Sequence, residues 1–195
     1  KHLREAVYYH LLEAERIVER LVHRGPYLDV EHFDFDRDGR EEIIVSNRSL
    51  VTFIAPHRGG AILELDLIQF TANLTDVMTR RKEPYHPTVK GKEIIYDPYR
   101  RLSWLDHFLS EDTRLEDFRR GNYEELGDFI AGAYQPALSR RWGNLDLALS
   151  REGMVATDAG KLPVKVKKTA YFTKKDAKLH IGYEVVNLSG QELSV

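Results

Sequence analysis

Phe33-Asp34-Phe35-Asp36-Arg37-Asp38-Gly39-Arg40-Glu41-Glu42-Ile43-Ile44-Val45-Ser46-Asn47 is the stretch that decides how the chain is read. Aspartates at alternate positions 34, 36 and 38 precede Gly39, and a β-branched run follows. EF-hand calcium loops begin in this way, because carboxylates converge only on a sharply curled chain and glycine permits the curl. The twelfth position of such a loop is Glu, whereas Val45 stands here, and a strand pattern fills the place of the required helix. The EF-hand is therefore excluded. A shorter loop remains, with Asp34, Asp36, Asp38, the Arg40 carbonyl and Glu42 as ligands of a structural calcium. The competing reading is an acidic turn whose aspartates bind backbone amides.

Downstream of the loop the hydrophobic period is two. Ile43-Ile44-Val45, Leu50-Val51-Thr52-Phe53-Ile54 and Ala61 to Leu67 are apolar and β-branched, and Asn, Ser, Pro and Gly bound them, which predicts consecutive antiparallel strands. Upstream the period is that of a helix. Leu3, Val7, Leu11, Ala14, Val18 and Leu21 recur at spacings of three and four and form one apolar stripe, ended by Gly25-Pro26. The opposite, charged face is read as solvated.

Residues from about 69 to 137 interrupt the strands with polar and aromatic sequence, in which short helices are expected at about 102–109 and 113–119. Alternation then returns in Leu145, Leu147 and Leu149, in Val164, Val166 and Phe172, and in Ile181, Tyr183 and Val185. Turns are expected at Arg151-Glu152-Gly153, Asp158-Ala159-Gly160, Lys174-Lys175-Asp176 and Ser189-Gly190-Gln191. Lys165, Lys167 and Lys168 alternate with the apolar residues, which marks one wet and one dry face of this second meander. The fold class is thus mainly β: a large antiparallel sandwich over 27–195, with a linking amphipathic helix over 1–26 and a long, partly helical insertion. The second meander reads as truncated, with an unprotected edge near Val195.

Composition narrows the function. Lys+Arg number 29 against 31 Asp+Glu, for a net charge of −2, and the arginine pairs are scattered; nucleic acid and anionic membranes are set aside as partners. Without cysteine there is no disulfide, thiolate metal site or thiol nucleophile, and a reducing, cytoplasmic setting fits. No apolar run approaches the length of a membrane span.

Several motifs share one resemblance. Asp36-x-Asp38-Gly39-x-x-Glu42-Ile43, Asn47-Arg48, Pro56-x-x-Gly59-Gly60-Ala61-x-x-Glu64-Leu65-Asp66, the run from Asn73 through Thr79-Arg80-Arg81-x-Glu83-x-Tyr85-His86, and Asp106-His107-Phe108-Leu109 are similar to the carboxy-terminal β domain of glycoside hydrolase family 57 enzymes, the 4-α-glucanotransferases and α-amylases. The resemblance covers nearly the whole chain. It implies a galactose-mutarotase-like supersandwich and, preceding it in the parent protein, a catalytic barrel carrying a Glu nucleophile and an Asp acid/base. None of the barrel motifs is present here, so the chain alone is expected to be inactive, with the barrel as its partner.

Contact with α-glucan is the milder expectation. Aromatic rings stack on sugar faces and Arg or His bind hydroxyls, so Arg80, Arg81, Tyr85, His86, Tyr99 and Trp104 are the candidate carbohydrate residues. Ion pairing of Arg80 with Glu83, or of Arg100 with Asp97, is the plainer use of those arginines. A mutarotase-like alternative needs a Glu base and a His acid, for which Glu64 with His86 or His107 is available. Glu64 and Asp66 share a strand face, where a structural role on the wet side is favoured. A purely structural domain, packed on the barrel through the insertion, is the third alternative.

Overall fold

The computed structural model describes residues 2–76, 79–82, 84, 94–158 and 160–194. Two antiparallel sheets face each other. The first contains β1 (Leu28–Phe33), β2 (Glu42–Asn47), β3 (Leu50–Ala55), β4 (Ala61–Leu67) and β5 (Ala72–Asn73), and the second β6 (Gln135–Arg141), β7 (Asn144–Thr157), β8 (Gly160–Phe172) and β9 (His180–Asn187), each in sequence order. α1 (His2–Val22) lies on the outer face of the first sheet and α2 (Leu115–Arg120) belongs to the connection between the sheets.

The core between the sheets comes from the alternating residues. Ile43, Val45, Leu50, Ile54 and Ile62 meet Leu145, Leu147, Leu149, Val164, Val166 and Phe172 in one buried cluster. β3 is buried on both faces, as its unbroken apolar run requires. Its second face, with Val51, Phe53 and Ala55, packs with Leu63, Ile68 and Leu12 of α1. The pairing of β3 with β4 slips between Phe53, opposite Glu64, and Ile54, opposite Ile62. Leu63 is the extra residue of this bulge, and the slip turns both Leu63 and Glu64 toward α1.

The diglycine turn joins the layers. Gly59 and Gly60 have φ of +64° and +58°, a region closed to most side chains. The Gly59 amide donates to the Gly132 carbonyl at 2.9 Å. A Cβ on Gly59 would stand 2.3 Å from the Ile130 carbonyl oxygen, and one on Gly60 would press on the Lys168 side chain. The connecting segment can cross the sandwich here only because both residues lack side chains.

Several sequence expectations change. β1 and most of β6 carry too many polar residues to show as strands, yet both pair fully. Gly153 is not in a turn: β7 runs straight through it, and glycine is needed because Asp128 Oδ1 would lie 2.3 Å from a Cβ there. No helix forms at 102–109; this stretch is extended and bridges Ile62 through Ser103 and Glu125 through Leu109. Its helical spacing reflects apolar contacts with the sandwich, where Phe108 is buried. α2 starts at Leu115, later than expected, where the Arg114 amide donates to the Asp117 carboxylate at 3.2 Å.

The largest change concerns α1. Its apolar stripe faces away from the sheet, with Leu3, Val7, Leu11, Val18 and Leu21 between 55% and 78% exposed. Leu12 is the buried residue of this helix. The sheet is met through Tyr8 and Leu12, one position and so roughly 100° round the helix from the stripe.

Candidate functional site

The acidic loop closes around arginine and histidine. Asp34 accepts the Asp38 and Gly39 amides, each at 3.0 Å, and Asp38 accepts the Arg40 amide at 3.0 Å. Arg58, from the diglycine turn, reaches Asp36 at 2.9 Å and Asp38 at 2.6 Å; Arg100 adds a contact to Asp36 at 3.3 Å. His57 lies 3.2 Å from Asp38 and 3.6 Å from Glu42. Glu42 is fully buried and accepts the Phe35 amide at 2.8 Å. Burial raises its carboxyl above the ordinary range. Burial also acts on Asp38, but His57, the Arg40 amide and Arg58 outweigh it and hold that carboxyl low.

Two groups here present oxygen or imidazole atoms close enough to hold a metal ion: Asp34 with Asp36 and Glu42, and Asp38 with Glu42 and His57. Asp36 Oδ1 and Glu42 Oε1 are buried without a hydrogen-bond partner, a costly state for carboxylate oxygens. Asp36 Oδ2 is the atom that Arg58 takes, so the pairing leaves Oδ1 free. Arg40 takes part through its amide to Asp38. Both readings of the loop, amide-binding turn and ion cage, thus draw on the same side chains.

The candidate carbohydrate residues have separate surroundings. Tyr85, His86 and Glu83 lie outside the described residues. Arg80 pairs with Asp97, its Nε 2.9 Å from Oδ1, and Arg101 joins the same oxygen at 2.8 Å. The ion pairs of this segment are therefore Arg80–Asp97, Arg101–Asp97 and Arg100–Asp36, in place of Arg100–Asp97. Burial would raise Asp97, but Arg80 and Arg101 overcome it and hold the carboxyl below the ordinary range. Arg81 is exposed and lines a polar cleft with Arg100, Arg101, Glu64 and Tyr8. Tyr99 belongs to a hydrogen-bonded chain in which Tyr123 donates to Tyr99 at 3.1 Å, Tyr99 lies 3.2 Å from His107 Nε2, and His107 Nδ1 is 2.7 Å from Glu125. Trp104, at φ +67°, packs against the core beside the Lys168 ammonium, which sits 5.0 Å from its ring.

Glu64 accepts the Tyr8 hydroxyl at 2.9 Å, under α1, while His107 is committed to Glu125 and Tyr99. The Glu64–His107 version of the mutarotase-like alternative is thus divided between two sets of partners, while His86 lies outside the described residues. Asp66 is not on a wet face. It is 2% exposed with Oδ1 unpartnered, and burial, helped by Glu64 and Glu15, pushes its carboxyl up to about 7.

Sequence reasoning missed the buried cation. Lys168 is fully buried, and its ammonium donates to the carbonyls of Gly59 and Trp104, both at 2.7 Å, and lies 3.0 Å from Asp106. Asp106 in turn accepts the Tyr134 hydroxyl. Parity held the missing signal. Val164, Val166, Lys168, Ala170 and Phe172 share one face of β8, so Lys168 belongs to the dry side, opposite Lys165 and Lys167.

Comparison with known proteins fixes the family. Residues 34–93 and 89–195 match the family described as alpha-amylase/4-alpha-glucanotransferase, C-terminal. The chain is 31% identical over 198 residues to a 4-alpha-glucanotransferase of Thermococcus kodakarensis, covering 89% of this chain and 28% of that protein. It is 34% identical to an alpha-amylase of Pyrococcus abyssi, covering 86% and 27%. The crystal structure of 4-alpha-glucanotransferase from Thermococcus litoralis superposes with a TM-score of 0.82 at 32% identity, over 96% of this chain and 28% of that one. The chain therefore spans somewhat over a quarter of the length of these relatives. With a family match over most of its length and the same two-sheet fold, it belongs to the alpha-amylase/4-alpha-glucanotransferase C-terminal family.

Proposed function

We propose that this chain is the accessory β-sandwich of a glucan-processing enzyme, and that it supports a catalytic barrel elsewhere in the same polypeptide. The observation that carries this is the exposed stripe of α1. Five aliphatic side chains in register along six turns are costly to leave in water. They lie on the element that the family resemblance places next to the barrel. Docking through α1 is proposed beside the expectation of docking through the insertion.

The test is made in the full-length chain. Leu11→Glu with Val18→Glu is expected to lower the melting temperature of the enzyme by about 5 °C or more and to open α1 to limited proteolysis. An enzyme whose melting and protease resistance are unchanged would remove the stripe as a docking surface. The cytoplasm is the proposed setting, on the absence of cysteine.

Calcium is the proposed ion for the acidic loop, held by Asp34, Asp36 and Glu42. Hard carboxylate oxygens suit it, and the unpartnered Asp36 Oδ1 and Glu42 Oε1 are the atoms it would satisfy. Millimolar calcium is expected to raise the melting temperature by several degrees over a chelator-treated sample, and Glu42→Gln to abolish that rise. Identical melting with calcium and with chelator would leave the loop to Arg58 and the amides.

Glucan contact is assigned to the cleft of Arg81, Arg100 and Arg101, whose donors suit sugar hydroxyls. Calorimetry with maltooligosaccharides decides it: Arg81→Ala should reduce a measurable binding heat, and no heat from the unaltered protein counts against the assignment.

A further inference from the structure

At one end of the sandwich the last turns of α1, the turn between β2 and β3 and the turn between β8 and β9 surround a cleft of about 570 Å³. Its lining includes Arg16, Arg20, Arg48, Lys174 and Lys175, against the single carboxylate of Glu19. The whole chain carries a net charge of −2, so this concentration of cations is a property of the place and not of the composition. Arg16 holds Glu13 at 2.5 Å, and Glu19 is 3.4 Å from His23. Among the described residues, Arg20, Arg48, Lys174 and Lys175 are in no ion pair with a carboxylate. The Arg16 Nε is buried without an acceptor.

The two turns that carry Arg48, Lys174 and Lys175 are held together by a buried joint. Asn47 is 1% exposed, and its amide nitrogen donates to the carbonyls of Thr173 at 2.8 Å and Asp176 at 3.2 Å. Its amide oxygen accepts the Ser49 and Leu50 amides at 2.7 and 2.8 Å. One buried side chain thus fastens the turn bearing Lys174 and Lys175 to the turn bearing Arg48. Gln69 donates to the Ser49 hydroxyl at 3.2 Å and closes the floor. Exposed like charges gathered on the rim of one cleft repel, and an anion relieves that repulsion.

We propose that this cleft binds a phosphorylated small molecule, with the phosphate between Arg48, Lys174 and Lys175 on one rim and Arg20 on the other. Guanidinium and ammonium groups together suit phosphate oxygens, and the volume is that of a small-molecule site. Gln69 and Ser49 offer an amide and a hydroxyl to the uncharged part of the ligand. The chemistry is shared by inorganic diphosphate and by phosphate esters of sugars, and neutral sugar lacks it.

The test is calorimetry on the full-length chain with inorganic pyrophosphate, glucose 6-phosphate and maltose, at low and high salt. Pyrophosphate or glucose 6-phosphate should bind and maltose should not do so at this site, with affinity falling as salt rises. Tighter binding of glucose 6-phosphate identifies a sugar ester, and tighter binding of pyrophosphate identifies the phosphate group itself. Arg48→Ala with Lys175→Ala should weaken the anion about tenfold or more while melting stays unchanged, because both side chains are on the surface. Arg20→Glu, on another element, should do the same. The proposal fails if neither anion binds, or if the variants bind as tightly as the unaltered protein.

Discussion

Lys168→Met is expected to lower the unfolding free energy by about 3–5 kcal/mol, the usual cost of removing one partner from a buried ion pair. The substitution keeps the length of the side chain and removes the charge. Asp106, 9% exposed, would retain the Tyr134 hydroxyl but lose its cation, and the carbonyls of Gly59 and Trp104 would lose their donor. The damage reaches past the pair. Gly59 and Gly60 approach closely because the Lys168 ammonium ties their turn to β8, and Trp104 and Tyr134 lie 5.0 and 4.5 Å from it. Burial alone lowers the affinity of Lys168 for its proton, and Asp106 opposes that effect. Urea unfolding of Lys168→Met, Asp106→Asn and the double variant separates these terms. The double variant should lose clearly less than the two single losses combined, since neither charge is then left alone. A Lys168→Met protein that unfolds at the same urea concentration as its parent would show that the cluster contributes packing only.

The second large effect is one of pH. The Asp66 carboxyl is carried from its ordinary 3.8 to about 7 by burial, by Glu64 on the same strand and by Glu15 on α1. In the unfolded chain it ionises near 4, so between about pH 4 and 7 the folded state keeps a proton that the unfolded state has released. Stability therefore falls as pH rises through this window, and the loss is complete above about 7, on the order of 4 kcal/mol. Other groups facing this carboxyl are few. Asn73 favours its ionised form, while Glu64 and Glu15 are themselves raised by burial and so titrate in the same direction. Asp66→Asn should stabilise the protein at pH 8 far more than at pH 5. The measurement is the difference between the two unfolding curves at each pH; parallel profiles for parent and variant would exclude Asp66 as the source. Because α1 covers this carboxyl and exposes its own apolar stripe outward, the same helix meets charge inside and oil outside.

How much of this was legible in the sequence differs by element. Ile43 to Val45, Leu50 to Ile54 and Ala61 to Leu67 announced strands because β-branched residues and turn residues act locally, and β2, β3 and β4 fall there. β1 was hidden, since Leu28-Asp29-Val30-Glu31-His32-Phe33 is a sheet edge with one open side and needs no apolar alternation. The acidic loop showed its ligand set at once, but Arg58, Arg100 and His57, which compete with an ion for it, come from distant turns. In the sequence Tyr99 is a candidate sugar contact and His107 a hydrogen-bonded structural histidine in preference to an acid, and the neighbours that hold both in one chain, Tyr123 and Glu125, emerge only in the fold.

By itself the sequence determined what acts over a few residues or through composition. That includes the mainly β class, the leading helix, the exclusion of an EF-hand and the membership that its motifs display. Tertiary structure alone decided which face of α1 meets the sheet, because Leu12 and Tyr8 find partners on β4 and its neighbours, whereas the more regular stripe stays largely exposed among the described residues. It also decided which carbonyls and carboxylate receive the Lys168 ammonium and that Gly153 lies in a strand. Periodicity states that a face exists; only the partner packed against it fixes whether that face is dry.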